Sequence, residues 1–369
     1  MSSATCAVSP DSSYLFLKQA IDQATKTLLI YIYDLSAPYL IALLAAANKR
    51  KVKIRAMYDG NSGGPAELAA LKTVASAKNV KAAPSRDDRA VFTVCHQKFL
   101  VIDDSIVVVE SANWAKSSVP EIDTAGKFKK GNREWFIRFD DKDIAQWFTT
   151  LFDADFNIPA SAGAAASSAD LEFDDMLVAA AVQPPGKLFG MKNVAAPGGS
   201  VTPIVSPDNY LKEVKALLQS AEKSVLLQQQ YILAGKGIRD LLEIIADRKS
   251  KFKKLDLRII TSATFASGWE GTKKTLKAAG MLDSLKALNP KPFTHCHNKG
   301  VIVDDEAVVV SSTNWSENSV LRAREAGVLV RSVNISGYYR DVFDLDWKEG
   351  VPADEIDASA SVISAGDIL

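Results

Sequence analysis

Apolar and polar residues alternate along this chain with helical and strand-like periods, and the same succession of periods occurs twice. A helical period opens after Ser9-Pro10-Asp11, and a second one opens after Ser206-Pro207-Asp208. The apolar positions of these two predicted helices are Tyr14, Leu17, Ile21 and Ala24 in the first copy and Leu211, Val214, Leu218 and Ala221 in the second. Such repetition predicts two copies of one fold.

Short apolar stretches of strand length follow each predicted helix. They lie at residues 27–33, 52–58, 224–231 and 255–261. Residues 94–114 and 294–315 each predict a strand, a tight turn at an Asp-Asp doublet and a returning strand. Strands that alternate with helices favour α/β sheets covered by helices on both faces. We therefore predict two α-β-α sandwich domains with mixed sheets, related by a pseudo-twofold axis, with the active site at their interface.

The two copies set the predicted domain boundaries. Residues 1–158 form the first half and residues 201–350 form the second. Between them, residues 159–200 are rich in Ala, Ser, Gly and Pro and predict a linker, with one modest apolar patch at 176–182. Residues 351–369 are acidic and rich in small side chains, so we expect a flexible tail.

Composition narrows the class of protein. The 369 residues include 44 basic and 44 acidic ones, and the formal net charge is zero. A basic excess, which usually accompanies nucleic-acid binding, is missing at whole-chain level. No apolar run reaches about 18 residues, so we expect no membrane-spanning helix. The first residues lack the features of a signal peptide, so the protein is expected to be either cytoplasmic or secreted after loss of a leader.

The residues with candidate chemistry occur at matching positions of the two copies. His96, Lys98, Asp103 and Asn113 in the first copy have the same spacing as His297, Lys299, Asp304 and Asn314 in the second. Residues two apart in an extended segment face the same side, so each His points with its Lys. Chance recurrence of this set is on the order of one in a million from residue frequencies. The repeat therefore predicts one functional site built by both halves.

These residue types suit a tetrahedral phosphate. Lys ammonium groups act as point charges on phosphate oxygens, and Asn amides donate hydrogen bonds to them. One neutral imidazole can attack phosphorus while a protonated one gives its proton to the leaving oxygen. Each imidazole needs a carboxylate on its other ring nitrogen, and Glu134 and Glu325 are the predicted partners. The sequence therefore predicts a phosphodiesterase.

The paired motifs resemble those of the phospholipase D superfamily. The resemblance rests on His96-x-Lys98-(x4)-Asp103 and His297-x-Lys299-(x4)-Asp304, each followed by an Asn-Trp pair, and it covers nearly all of the chain outside the linker and tail. It implies a covalent phosphohistidine intermediate, water or an alcohol as second nucleophile, and no metal or other cofactor. It also implies that the motif Asp residues mainly brace the turn. By analogy His96 is the predicted nucleophile and His297 the general acid, in a chain that is a monomer because it holds both motifs.

The sequence leaves the substrate open. A phospholipid, met at a membrane surface and hydrolysed or transferred to an alcohol, is the first hypothesis. Nucleic acid is the alternative substrate, and a catalytically silent phosphate- or membrane-binding module is the third hypothesis. One departure from the family pattern is that Glu110 and Ser311 stand where Gly is usual. We expect these side chains to face away from the site along the strand.

Overall fold

The first half of the chain contains seven strands and four α-helices among its described residues. The computed structural model describes residues 1–59, 65–85, 90–121, 128–159 and 184–356. The strands of the first half are β1 (Ser3–Ser9), β2 (Thr27–Ile32), β3 (Lys53–Tyr58), β4 (Val80–Ala82), β5 (Phe99–Ile102), β6 (Ile106–Glu110) and β7 (Gly131–Phe139). Its helices are α1 (Ser13–Asp22), α2 (Pro38–Lys49), α3 (Pro65–Val74) and α4 (Lys142–Phe156). The predicted order of helices and strands is confirmed for these residues.

The second half repeats this order. A connecting strand, β8 (Lys192–Ala195), precedes it. Its strands are β9 (Ser200–Ser206), β10 (Ser224–Gln229), β11 (Asp256–Thr261), β12 (Leu285–Ala287), β13 (Phe293–Cys296), β14 (Lys299–Val303), β15 (Ala307–Ser311), β16 (Glu325–Arg331) and β17 (Val351–Pro352). Its helices are α5 (Tyr210–Gln219), α6 (Lys236–Lys251), α7 (Ala266–Ala278), α8 (Glu317–Leu321) and α9 (Val333–Glu349).

The two sheets share the same order of seven strands, and each has one further edge strand, β8 in the first and β17 in the second. The strand order is β4-β3-β2-β5-β6-β7-β1-β8 in one sheet and β17-β12-β11-β10-β14-β15-β16-β9 in the other. Strands β2, β3 and β4 pair in parallel, as do β10, β11 and β12, and the motif hairpins β5–β6 and β14–β15 pair antiparallel. The predicted α/β class, mixed sheets and duplication are confirmed.

Apolar burial arranges the elements in layers. Buried residues of α4 and α9 form one core cluster with the facing sides of both sheets. A second cluster packs α1 and α2 on the outer face of the first sheet, and a third packs α5 and α6 on the outer face of the second. Helix α4 is capped at its N-terminus by Asp141, whose carboxylate accepts hydrogen bonds from the N–H groups of Asp143 and Ile144. The halves therefore share an inner helical layer, and residues between the sheets come from both.

Three segments differ from their predicted form. The predicted tail begins at residue 351, but its first residues form β17, which pairs with β12. Strand β8 lies within residues 159–200 and pairs with β1 at the edge of the first sheet, so the end of the predicted linker belongs to a sheet. The apolar patch at 176–182 lies outside the described residues. The first motif hairpin starts as a regular strand only at Phe99, because the preceding residues turn to the other half, where Cys95 bridges Arg324. In the second copy β13 likewise pairs in parallel with β7 of the first half.

The motif Asp residues hold the hairpin turns. Asp103 and Asp104 have positive φ angles of 52° and 53°, and Asp304 and Asp305 have 55° and 61°. The Asp103 carboxylate accepts hydrogen bonds from the backbone N–H groups of residues 25, 26 and 27 at 2.7–2.8 Å, and from the Thr25 hydroxyl. Asp304 accepts equivalent bonds from residues 222, 223 and 224. Burial raises the pKa of Asp103, but these hydrogen bonds outweigh it and hold the pKa below the ordinary value.

This arrangement predicts a stability cost for Asp103→Asn. The change removes the charge and turns one accepting oxygen into an amide that faces N–H donors, so we expect the free energy of unfolding to fall by about 2 kcal/mol. Asp104→Asn is the matched control, because it keeps the same turn and tolerates the same positive φ. Urea denaturation of the two variants checks this. Equal stabilities would contradict the bracing role.

Candidate active site

The two motif histidines face each other between the halves. The ring centroids of His96 and His297 are 6.3 Å apart, with an interplanar angle of 80°. The backbone N–H of His96 donates to the carbonyl oxygen of Arg324 at 2.8 Å, and that of His297 donates to the carbonyl oxygen of Arg133 at 3.2 Å. Each histidine is therefore attached by its backbone to the opposite half, and this attachment brings the two rings to one place.

Each histidine also pairs with a glutamate of the opposite half. His96 Nδ1 lies 3.0 Å from Glu325 Oε2, and His297 Nδ1 lies 2.6 Å from Glu134 Oε1. The carboxylates are held in turn by hydroxyl groups: Ser312 donates to Glu325 at 2.6 Å, and Ser111 donates to Glu134 at 2.5 Å. With Nδ1 directed to the carboxylate, Nε2 is the ring nitrogen that each histidine presents for chemistry.

The motif lysines lie beside the histidines. Lys98 and Lys299 are fully buried, and each Nζ donates to the carbonyl oxygen of its own motif histidine. Lys98 Nζ also lies 5.0 Å from the centroid of the Tyr33 ring, which in turn contacts His96 edge to face at 4.8 Å. Two buried ammonium groups within one small site suit an anionic ligand.

Burial sets the ionisation of His96. Desolvation lowers its pKa to about 4, and the nearby charges of Lys98 and Lys299 act in the same direction, while Glu325 opposes them. His96 is therefore neutral near pH 7. Burial also raises the pKa of Glu134, against the opposing effects of Lys299, Ser111 and Ser118.

A pH dependence of stability follows for His96. The unfolded pKa is about 6.5, so between pH 4 and 6.5 the unfolded chain binds more protons at this residue than the folded protein. Its contribution to stability is therefore fully present above pH 6.5 and is lost as the pH falls towards 4. Urea denaturation at pH 5 and pH 7 should show a loss on acidification that is larger in the unmodified protein than in His96→Asn, by about 2 kcal/mol. An equal loss in both proteins would mean that His96 is not held neutral.

The hydrogen bonds and ring contacts described above join six of the ten predicted site residues, which are His96, Lys98, Glu134, His297, Lys299 and Glu325. The Asn residues follow the serines that hold the glutamates: Asn113 comes two residues after Ser111, and Asn314 two residues after Ser312. Both are fully buried, and neither amide atom of Asn314 has a hydrogen-bond partner among the described residues. Asp103 and Asp304 are not part of this group, because each stands five positions after its Lys in an extended segment, roughly 16 Å along the strand.

The structure also shows the surroundings of the Trp, Glu and Cys residues that stand next to the motifs. Trp114 and Trp315 are buried within the outer core clusters, so both pack in the core. Glu110 accepts a hydrogen bond from the Trp114 indole N–H at 2.6 Å rather than from a site residue. Cys95 and Cys296 are fully buried, and burial raises the pKa of both thiols, so they stay protonated.

Two salt-bridge clusters hold the halves together around the site. Arg133, next to Glu134, pairs with Asp11 at 2.8 Å and with Asp346 of the other half at 2.9 Å. Arg324, next to Glu325, pairs with Asp208 at 2.8 Å and with Asp155 of the other half at 2.9 Å. The sequence analysis used Asp11 and Asp208 only to mark the start of each copy and did not assign any of these residues to the contact between the halves. Their signal was recurrence in the two copies. Arg precedes Glu at 133 and at 324, and Asp155 and Asp346 occupy matching positions near the ends of their helices.

Sequence reasoning also missed His295. Its ring centroid lies 5.7 Å from that of His297, and its side chain is buried. It stands two residues before His297 in an extended segment, so the same two-residue rule that grouped His with Lys would have placed it beside the site.

Comparisons with known proteins agree with the duplicated fold. The family described as "Cardiolipin synthase, PLD-like domain" matches residues 17–156 and 214–347. The crystal structure of phosphatidylserine synthase from Haemophilus influenzae Rd KW20 superposes with a TM-score of 0.66 at 15% identity, covering 95% of this chain and 89% of that one. Polyphosphate kinase from Porphyromonas gingivalis gives a TM-score of 0.56 at 10% identity, covering 92% of this chain and 50% of that one. No curated protein sequence matches.

The two family matches together span most of the chain and coincide with its two copies. At such low identities the solved structures indicate a shared fold. Among the described helices, none is long and apolar enough to cross a membrane. Since both family matches include a complete His, Lys, Asp and Asn set, the chain belongs to the phospholipase D superfamily.

Proposed function

We propose that this protein cleaves the phosphodiester bond of a phospholipid and passes the phosphatidyl group to water or to an alcohol. The observation that carries the proposal is the pair of facing imidazoles, 6.3 Å apart, each oriented by a glutamate of the opposite half. A phosphoryl group between the rings would have a nucleophile on one side and a proton donor on the other.

In the first step His96 Nε2 attacks phosphorus while the bond from phosphorus to the leaving oxygen breaks. Protonated His297 gives its Nε2 proton to that oxygen, so the products are a phosphohistidine and a free alcohol. In the second step water or an acceptor alcohol attacks phosphorus and gives its proton to His297. The bond between phosphorus and His96 then breaks, and both histidines return to their initial states.

The other site residues have supporting roles in this proposal. Glu325 and Glu134 fix the ring orientation and stabilise positive charge on the imidazoles. Lys98 and Lys299 neutralise the charge that develops on the non-bridging oxygens. Asn113 and Asn314 donate hydrogen bonds to the same oxygens. Asp103 and Asp304 act on the hairpin turns.

The neutral state of His96 supports its assignment as nucleophile. An imidazole attacks only when it is unprotonated, and burial keeps the pKa of His96 near 4. The choice of a phospholipid rests on the matched family, whose description names a cardiolipin synthase, and on the balanced net charge of the chain.

A vesicle assay tests the substrate class. The protein is incubated with phosphatidylcholine–phosphatidylglycerol vesicles and ethanol, with and without EDTA, and the His96→Asn variant is the control. We expect phosphatidic acid and phosphatidylethanol from the unmodified protein alone, at the same rate with EDTA. Cleavage of single-stranded DNA without any phosphatidyl product would replace this proposal by a nuclease. Absence of both products would favour a silent binding module.

A further inference from the structure

A third imidazole makes the two halves of the site unequal. His295 lies two residues before His297, whereas Val94 occupies the same place before His96. The ring centroids of His295 and His297 are 5.7 Å apart, and His295 is only 3% exposed. The additional polar side chain therefore stands on the His297 side, where the proposed leaving group departs and the acceptor alcohol enters.

The surroundings of His295 determine which ring nitrogen carries its proton. Ser262 Oγ lies 2.6 Å from Nδ1 and already accepts a hydrogen bond from the backbone N–H of Thr264 at 3.2 Å. Among the described residues the Ser262 hydroxyl contacts these two groups, and His295 Nδ1 is the one of them that can accept its proton, so the arrangement that satisfies this buried hydroxyl has it donating to Nδ1. The proton of the neutral ring is consequently on Nε2. Phe265 packs edge to face on the ring at 5.1 Å and holds its orientation.

His295 Nε2–H is thus a buried hydrogen-bond donor. Among the residues that the structure describes, no protein atom accepts this bond. Burial and the nearby charges of His297 and Lys299 lower the pKa of His295, so the ring stays a neutral donor. A desolvated donor without an acceptor is unfavourable, and a ligand that brings an acceptor oxygen to this place removes the penalty.

We propose that His295 is a specificity-determining residue, which donates a hydrogen bond from Nε2 to a hydroxyl oxygen of the headgroup alcohol on the His297 side. The inference rests on the proposed phospholipid cleavage. It favours headgroups that carry a hydroxyl group over those without an acceptor, because the latter leave the donor unsatisfied. Val94 offers no such donor in the first half.

Binding without turnover tests the assignment. In a His96→Asn background, calorimetry compares dihexanoyl phosphatidylglycerol with dihexanoyl phosphatidyl-1-propanol, which has the same charge and the same three headgroup carbons but no free hydroxyl. We expect about tenfold tighter binding of phosphatidylglycerol. Adding His295→Val, the residue of the first half, should abolish this preference by weakening phosphatidylglycerol binding alone. His295→Gln, which keeps an N–H donor, should retain most of it.

Several results of these measurements would overturn the proposed role of His295. A preference that survives His295→Val, or the absence of any preference or binding in the background variant, would overturn the assignment. His295→Val removes the unpartnered donor but also the acceptor of the Ser262 hydroxyl, so we expect its melting temperature to stay close to that of its parent. A fall of several degrees in both the Val and the Gln variant would identify a structural role instead. If the preference follows His295 but the unmodified protein turns over no phospholipid, the proposed function fails and this binding role stands.

Discussion

His96→Asn is expected to reduce the hydrolysis of bis(p-nitrophenyl) phosphate by on the order of 10⁴-fold or more, because the covalent intermediate cannot form without the attacking nitrogen. His297→Asn should also lose steady-state turnover, because no group then activates the second nucleophile. Stopped-flow release of nitrophenolate, together with circular dichroism to confirm folding, measures both effects.

The same substrate separates the two histidines. Nitrophenolate leaves without needing a proton, so His297→Asn should still release close to one equivalent in a burst and then stall as a phosphohistidine. His96→Asn should give no burst. Peptide mapping by mass spectrometry under alkaline conditions should locate the added phosphoryl group on His96. A burst in His96→Asn, with the adduct on His297, would reverse the assignment of nucleophile and acid.

Asp346→Ala is expected to lower the free energy of unfolding by about 3–5 kcal/mol, because it leaves part of the buried Arg133 charge uncompensated. Asp346 is fully buried, accepts hydrogen bonds from Arg133 at 2.9 Å and from Gln228 at 2.8 Å, and joins the halves next to Glu134. Burial raises the pKa of Asp346, and Arg133 and Gln228 oppose that rise.

Asp344 on the same helix provides the matched control. Its side chain is 44% exposed and pairs with Arg258 at 2.8 Å and with Arg340 at 2.9 Å. Exposed pairs of this kind contribute about 1 kcal/mol or less, so Asp344→Ala should change stability little. Urea denaturation of the two variants gives the comparison. If Asp346→Ala costs no more than Asp344→Ala, the buried cluster does not hold the halves together.

The sequence by itself determined the duplicated α/β architecture and the residue types of the candidate site. Helix and strand periods are local properties of the chain, so the order of elements in both halves was predictable. The recurrence of His, Lys, Asp and Asn at fixed spacing can be read directly from the chain. It also predicted one shared phosphate site, because displacement at phosphorus needs one imidazole on each side. The turn at Asp103 and Asp304 followed from the same local pattern.

Only the tertiary structure decided which residues meet across the halves. Glu134 and Glu325 were predicted as partners of the histidines, but each lies in the same half as one histidine and orients the other, across 163 and 229 residues of sequence. The start of the first motif strand at Phe99 and the unpartnered nitrogen of His295 likewise depend on contacts between distant segments. No local period encodes such contacts, because they arise when the buried faces of two sheets close on shared helices and bring together side chains that the chain keeps far apart.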